Sequence, residues 1–204
     1  MAKIVIGVVG QIGAGKDTAI VFLKENGFVD FSLSDQIRLE LKKRGDSNFT
    51  RGEIQRVGNE MRAKFGRDYW ARQAWEKAMA SGQDKLVISS IRHPAEVEFL
   101  KKQPHFYLLA VIADQRTRFE RKRAAAARNP NSTRSDDQDI LTWEKFKQLD
   151  DYETKGAAKH GQQVEKTLAL ADFTVDNNGT VEELRDKIGG VLAQIKGGES
   201  AKNR

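Results

Sequence analysis

Five short apolar runs, separated by longer segments with helical periodicity, organise the chain. Residues 3–9, KIVIGVV, are apolar and β-branched almost throughout, the pattern of a strand covered on both faces. Residues 28–33, 85–89, 106–113 and 172–175 read as four further strands. Over 16–26, Ala19, Ile20, Phe22 and Leu23 mark a helix closed by Gly27. Ser34 and Asp35 offer N-cap chemistry for a helix to residue 43, closed by Gly45. Residues 50–80 are helical with a break at 66–68, and Pro94 opens a helix carrying Val97, Phe99 and Leu100. A basic helix over 116–128, a polar loop over 129–137, a highly charged helix over 143–160 and a last helix over 181–195 follow. Residues 196–204 are expected to form a flexible tail. The alternation of strands and helices, with no repeat and no Pro/Ser-rich linker, predicts a single domain over 1–195. Its fold class is a three-layer α/β/α architecture with a five-stranded parallel sheet. Ligands of such sheets bind beyond the carboxyl ends of the strands, here segments 10–18, 34–38, 89–96, 113–137 and 176–179.

The first of these segments carries the clearest chemistry. Gly10-Gln-Ile-Gly13-Ala-Gly15-Lys16-Asp17-Thr18 follows a strand and opens a helix, which is the context of a P-loop. Its glycines let backbone N–H groups turn inward onto phosphate oxygens, and the helix N-terminus adds positive potential. Lys16 can reach the β- and γ-phosphates of a bound nucleotide. Gly10, Gly13, Ala14, Gly15, Lys16, Asp17 and Thr18 are therefore the candidate ATP-phosphate residues. The strict pattern places Ser or Thr directly after the lysine to hold Mg²⁺. Here that place is Asp17, and Thr18 comes one later.

Composition narrows the partners. The chain has 204 residues, with 35 Lys+Arg against 29 Asp+Glu, a net charge of +6. The surplus invites an anionic partner, either nucleic acid or a phosphorylated small molecule. With no cysteine and three histidines, a disulfide scaffold, a thiolate metal site and a Cys nucleophile are excluded. No apolar run approaches the roughly 20 residues of a membrane span, and the expected localisation is cytoplasmic.

Beyond the P-loop, the chain resembles the P-loop nucleoside monophosphate kinase superfamily. Adenylate kinases end their phosphate loop Gly-Lys-Gly-Thr, the same offset as here, which makes Thr18 the candidate Mg²⁺ residue, directly or through water. FSLSDQIR at 31–38 looks like their second motif, in which an Arg three residues after an Asp holds the acceptor phosphate. GNEMRAKFGRDYWA at 58–71, IRHPAEVEFL at 91–100 and DDQDILTWEKFKQLDDYE at 136–153 are similar to a branch related to dephospho-coenzyme A kinase and archaeal adenylate kinase. The resemblance covers roughly residues 4–190. It implies an acceptor-binding helical segment at 34–80 and an arginine-rich lid at 114–160. It also implies that Asp35, Arg38 and Arg92 meet the acceptor. For Asp35 the alternatives are a helix cap, a base, or a group near Mg²⁺; for Arg92, an intrahelical pair with Glu96. Ser89 and Ser90 stand where many P-loop enzymes end the third strand with an Asp that organises Mg²⁺.

Arg116, Arg118, Arg121, Lys122, Arg123, Arg128 and Arg134 fall within a 19-residue stretch. Like charges so dense want an anion, and a loose phosphoryl-transfer transition state spreads negative charge over its oxygens. Arg121 and Arg128 are the candidate catalytic arginines beside Lys16, Asp35 and Arg92. Acidic Asp136, Asp137 and Asp139 could hold the basic helix by charge pairing. In related kinases the loop after the fifth strand lies beside adenine, so Asn177 and Gly179 are candidate adenine contacts. The bland alternative is a turn capping the last helix through Thr180 and Glu183.

The expected function is transfer of the γ-phosphate of ATP, with Mg²⁺, to a small phosphorylated acceptor, a nucleoside or deoxynucleoside monophosphate. Dephospho-coenzyme A kinase is the close alternative, with Asp35 as base. A nucleotide-binding regulatory or nucleic-acid-associated ATPase without kinase activity is the alternative from another class. Because no helix-turn-helix, zinc module or aromatic RNA-binding strand motif occurs, nucleic acid is not the expected partner. Neither is a membrane.

Overall fold

The computed structural model describes residues 3–46, 49–128, 142–155 and 162–202. Five parallel strands form one sheet in the order β2-β3-β1-β4-β5. They are β1 (Ile4–Val9), β2 (Val29–Ser32), β3 (Lys85–Ser89), β4 (Phe106–Ile112) and β5 (Phe173–Asp176). Residues of β1 alternate between two apolar layers, as strand geometry requires. Val5 and Val9 join Leu86, Ile88, Leu108 and Ala110 on one face, while Ile6 and Val8 join Val87, Leu109, Val111 and Val175 on the other.

The first face is covered by α2 (Leu33–Lys43), α3 (Arg51–Phe65), α4 (Tyr69–Ala80) and α5 (Pro94–Lys101), through Ile37, Leu41, Val57, Trp70, Ala74 and Val97. Trp70 is 2% exposed, and its indole N–H donates to the Gly58 carbonyl at 3.0 Å, so its one polar atom is satisfied inside the core. The second face is covered by α1 (Lys16–Glu25) and α9 (Val181–Lys202), through Ala19, Leu23, Leu184, Ile188 and Leu192. Helices α6 (Gln115–Arg128) and α7 (Trp143–Lys155) meet through the rings of Phe119, Trp143 and Phe146, and the short α8 (Val164–Leu168) follows.

The three-layer parallel α/β class expected from the sequence is the one observed. Several boundaries differ. Helix α2 begins at Leu33 with Ser32 as its N-cap, because β2 passes into it without a loop, so Ser34 and Asp35 lie in the first turn and cap nothing. The break at 66–68 is real, with Gly66 at φ 109 closing α3. The last helix does not stop at residue 195. It continues to Lys202 because neither proline nor a left-handed glycine interrupts it, and each added residue gains a hydrogen bond once the helix is nucleated. Arg134, Asp136, Asp137 and Asp139, and residues 156–160 of the expected charged helix, lie outside the described residues. No helix among the described residues is long and apolar enough to cross a membrane.

Candidate active site

The loop between β1 and α1 has the backbone its sequence demands. Gly13 and Gly15 sit at φ 74 and 100, where a side chain is strained. Space forbids one as well: a Cβ on Gly13 would lie 2.7 Å from the Arg118 carbonyl oxygen, and one on Gly15 2.2 Å from the Asn177 amide nitrogen. Gly15 is the N-cap of α1, which opens on Lys16 and carries Asp17 in its first turn. Ala14 is buried and its carbonyl accepts from Asn177 Nδ2 at 2.8 Å. Gly10 lies where the end of β1 passes the Val111 carbonyl.

Lys16 is half-buried, and its ammonium donates to the Gln11 carbonyl at 2.7 Å. Burial pulls its pKa down from 10.5 to about 7, and the Arg92 guanidinium adds to the depression, against Asp17 and Glu153, which oppose it. An ammonium so held gains from any phosphate that replaces the carbonyl.

Lys16 opens onto a cavity of about 630 Å³. Arg38 from α2, Arg62 from α3, Arg92 from the β3–α5 loop and Lys122 from α6 line it, together with Asp17, Asp30 and Asp35. Thr18 is absent from this wall, whereas Asp17 faces it, because one residue of helix turns the side chain by about 100°. Arg38 pairs with Asp35 at 2.7 Å near the surface. Arg92 does not pair with Glu96 through its side chain. Its backbone N–H donates to Glu96 at 2.9 Å, while Nη1 reaches Glu153 at 3.2 Å and Gln162 at 2.8 Å. Glu96 is instead saturated by Arg62, at 2.8 and 2.7 Å, and by the His93 N–H.

The third strand ends at Ser89, buried, and Ser90 follows it at φ 62, a left-handed conformation unusual for serine. The Ser90 hydroxyl lies 3.0 Å from that of Ser32, which ties the ends of β2 and β3 together at the cavity. Asp30 on β2 presents its carboxyl to the same wall, and its Oδ1 is buried without a hydrogen-bond partner. Burial raises its pKa, against the Ser89 hydroxyl, which favours the charged form.

Arg118, Arg121 and Arg128 of the basic helix lie in three different places. Arg118 is buried, bonded by both terminal nitrogens to Asp150 and donating to the Ile12 carbonyl of the P-loop at 3.1 Å. Arg121 turns away from the cavity and donates to the carbonyls of Asn177 (2.6 Å) and Gly179 (3.0 Å). Arg128 is exposed at the end of α6 and does not line the cavity. Asn177, an expected adenine contact, is 5% exposed and its side-chain amide donates to the Ala14 carbonyl, which ties the end of β5 to the P-loop. The Glu183 N–H donates to the Thr180 hydroxyl, the capping half of the alternative reading.

Sequence reasoning missed Asp30, Arg62, Asp150 and Glu153. Asp30 shared a strand face with Ser32, two residues from the carboxyl end, a period-2 signal that was available. The others act through partners 32 to 61 residues away, which no local pattern shows.

Among the described residues no three acidic or His side chains gather as a metal cage. The side-chain donors that Asp17, Asp30, Ser32 and Ser89 bring to the cavity wall are all oxygen, which fits a magnesium ion carried in by phosphates and water.

No protein-family model matches the chain. Among solved structures it is similar to the shikimate kinase of Acinetobacter baumannii in complex with shikimate, at 17% identity and TM-score 0.52 over 94% of both chains. It is similar to a gluconokinase of Sinorhizobium meliloti 1021 at 13% identity and TM-score 0.52 over 98% of both chains. With the loop geometry, these likenesses show that the chain shares the P-loop fold of those two proteins. The UPF0200 protein of Staphylothermus marinus is 31% identical over 183 residues, spanning 90% of this chain and 88% of that one. A match of that identity over nearly the full length of both proteins shows that the chain belongs to the UPF0200 family.

Proposed function

We propose that the protein is a phosphotransferase that moves the γ-phosphate of ATP to a small phosphorylated acceptor, a nucleoside or deoxynucleoside monophosphate. One observation carries this reading: the P-loop lysine shares a single cavity with Arg38, Arg62 and Arg92, which come from three other elements. Arg62 is balanced by buried Glu96, but Arg38 and Arg92 lie across the cavity from the loop, and two guanidinium groups there suit a second anion better than they suit one phosphate chain on the loop. ATP phosphates lie on the P-loop backbone and draw Lys16 off Gln11. The acceptor phosphate is held by Arg38 and Arg92, with Arg62 behind them. Lys16 and Arg92 flank the transferring group and stabilise charge on its oxygens, so orientation and electrostatics supply the catalysis without a covalent nucleophile. Magnesium, when bound, would offset charge on the phosphates, and in this reading Asp17, which lines the cavity, would meet it rather than Thr18. Arg121 and Arg128 have no catalytic part in this reading, because neither lines the cavity. The cytoplasm, where ATP and nucleotides are plentiful, is the proposed compartment.

A hydroxyl acceptor, as in dephospho-coenzyme A kinase, is the second reading. Asp30 supports it, since a carboxyl with an unpartnered oxygen and a raised pKa can take a hydroxyl proton. ADP release by the purified protein with ATP, Mg²⁺ and each of AMP, GMP, CMP, UMP, dTMP and dephospho-coenzyme A tests both. A nucleoside monophosphate is expected to stimulate release, and Arg38→Ala to raise its KM about tenfold or more, the loss of one charged hydrogen-bond pair. Stimulation by dephospho-coenzyme A alone favours the second reading. Release unchanged by every acceptor leaves a nucleotide-binding ATPase and sinks the kinase reading.

A further inference from the structure

Helix α7 carries two carboxylates three residues apart, Asp150 and Glu153, and both are buried at 3% and 2% exposure. Three residues is under one helical turn, so the two lie on one side. Asp150 binds Arg118, and Arg118 continues to the Ile12 carbonyl of the P-loop. Glu153 binds Arg92, which lines the cavity. One helix face thus holds the loop that receives the donor and the cation that faces the acceptor.

Arg92 is framed with unusual completeness. Its N–H is fixed by Glu96 at 2.9 Å and its carbonyl by the Gln163 N–H at 2.8 Å. On the side chain, Glu153 and Gln162 both take Nη1, at 3.2 and 2.8 Å. The other guanidinium N–H groups have no partner among the described residues. A guanidinium is a rigid planar fork, so fixing one terminal nitrogen also sets the direction of the free edge. Gln162 alone could anchor that nitrogen. The charge of Glu153 adds what an amide cannot: it offsets the repulsion between Arg92 and Lys16, which face each other across the site.

We propose that Glu153 is a positioning residue of the phosphotransfer site, fixing one end of the Arg92 guanidinium so that its free edge meets the acceptor phosphate. The proposal rests on the kinase reading above. Glu153 touches neither substrate. It acts through Arg92, and the shared helix keeps Arg92 in register with the P-loop.

A double-mutant cycle tests it, with ATP, Mg²⁺ and whichever of AMP, GMP, CMP, UMP and dTMP most stimulates ADP release by the wild type. Glu153→Ala is expected to lower kcat/KM for the acceptor about tenfold or more, as misplacing a reacting neighbour does, while the ATP KM stays within about twofold. Glu153→Asp should recover part of the loss. In an Arg92→Ala background, Glu153→Ala should cost nothing further. Equal losses in both backgrounds, or ATP and acceptor constants worsening together, overturn the proposal, since a merely structural carboxylate behaves that way. If Glu153→Ala does not fold, Glu153→Gln runs the same cycle, keeping the hydrogen bond and removing the charge. Failure of the wild type to respond to any acceptor is a different result: it removes the kinase reading, and this inference with it.

Discussion

Around the P-loop, polar groups are spent on one another: Asn177 on Ala14, Arg118 on Ile12 and Asp150, Arg121 on the carbonyls of Asn177 and Gly179. Across the cavity, Arg38 and Asp35 pair only with each other among the described residues, at 29% and 62% side-chain exposure, and Asp30 keeps an unpartnered oxygen. The first region is built before any ligand arrives. In the second, Arg38, Asp35 and Asp30 hold charge in reserve, ready to exchange partners, while Arg92 and Arg62 are held by Glu153 and Glu96. Preorganised dipoles favour a ligand whose chemistry is fixed, such as a triphosphate, while exposed ion pairs dissolve cheaply when a better anion comes. In the proposed phosphotransfer the first region would be the donor side and the second the acceptor side.

Four changes break or sharpen that contrast. The largest effect is expected at the junction. Lys16→Ala should reduce acceptor-dependent ADP release at least about a hundredfold, as losing a charge-stabilising donor does, with the circular dichroism of the folded protein unchanged. Turnover retained in that variant would move the site elsewhere.

Next comes stability, where the two regions should part. Asp150→Ala leaves Arg118 buried without its carboxylate and should cost about 3–5 kcal/mol in denaturant unfolding. Asp35→Ala, at the exposed pair, should cost at most about 1 kcal/mol. Similar losses at both positions would erase the distinction between a built wall and a loose one.

The third effect is protonic. Lys16 titrates at about 7 in the free protein against 10.5 in an unfolded chain, because burial disfavours its charge. Its folded value is depressed, so the penalty on the charged form is complete below pH about 7 and fades as pH rises toward 10.5. Phosphates reverse the shift. A non-hydrolysable ATP analogue bound at pH 8 should therefore take up to about one proton, read by calorimetry in buffers of different ionisation enthalpy, and almost none at pH 5. Equal proton uptake at both values would mean that another group answers the phosphates.

The smallest effect is at Asp30. Its raised pKa means that the fold disfavours the carboxylate, so stability is lost as pH rises above the ordinary carboxylate range. Asp30→Asn should be slightly more stable than wild type at pH 7 and indistinguishable from it at pH 3, in paired thermal melts.

What could be read from the sequence follows the same divide. The P-loop spans nine consecutive residues, so spacing alone fixes its strand, turn and helix. Arg38 and Arg92 are legible as candidates because each follows a strand in a short stretch of sequence, and both line the cavity. The tertiary ties were hidden. Arg121 has the same local surroundings whether it faces phosphate or the Asn177 carbonyl, and only the packing of α6 against the β5–α9 loop decides. Asn177 could as well have reached outward, and the narrow approach of Gly15 turned it inward. Asp30 is the reverse case: it sits two positions before the end of a legible strand, on the same face as Ser32, so strand periodicity carries it to the cavity.

The central claim, that the cavity joins a donor phosphate to an acceptor phosphate, is tested most directly by following phosphorus. In a ³¹P NMR time course of the wild-type protein with ATP, Mg²⁺ and the most stimulating nucleoside monophosphate, the ATP γ-resonance should be lost in equal measure to the growth of a new diphosphate signal on the acceptor. Loss of the γ-resonance to inorganic phosphate alone, with the monophosphate signal intact, would contradict the account.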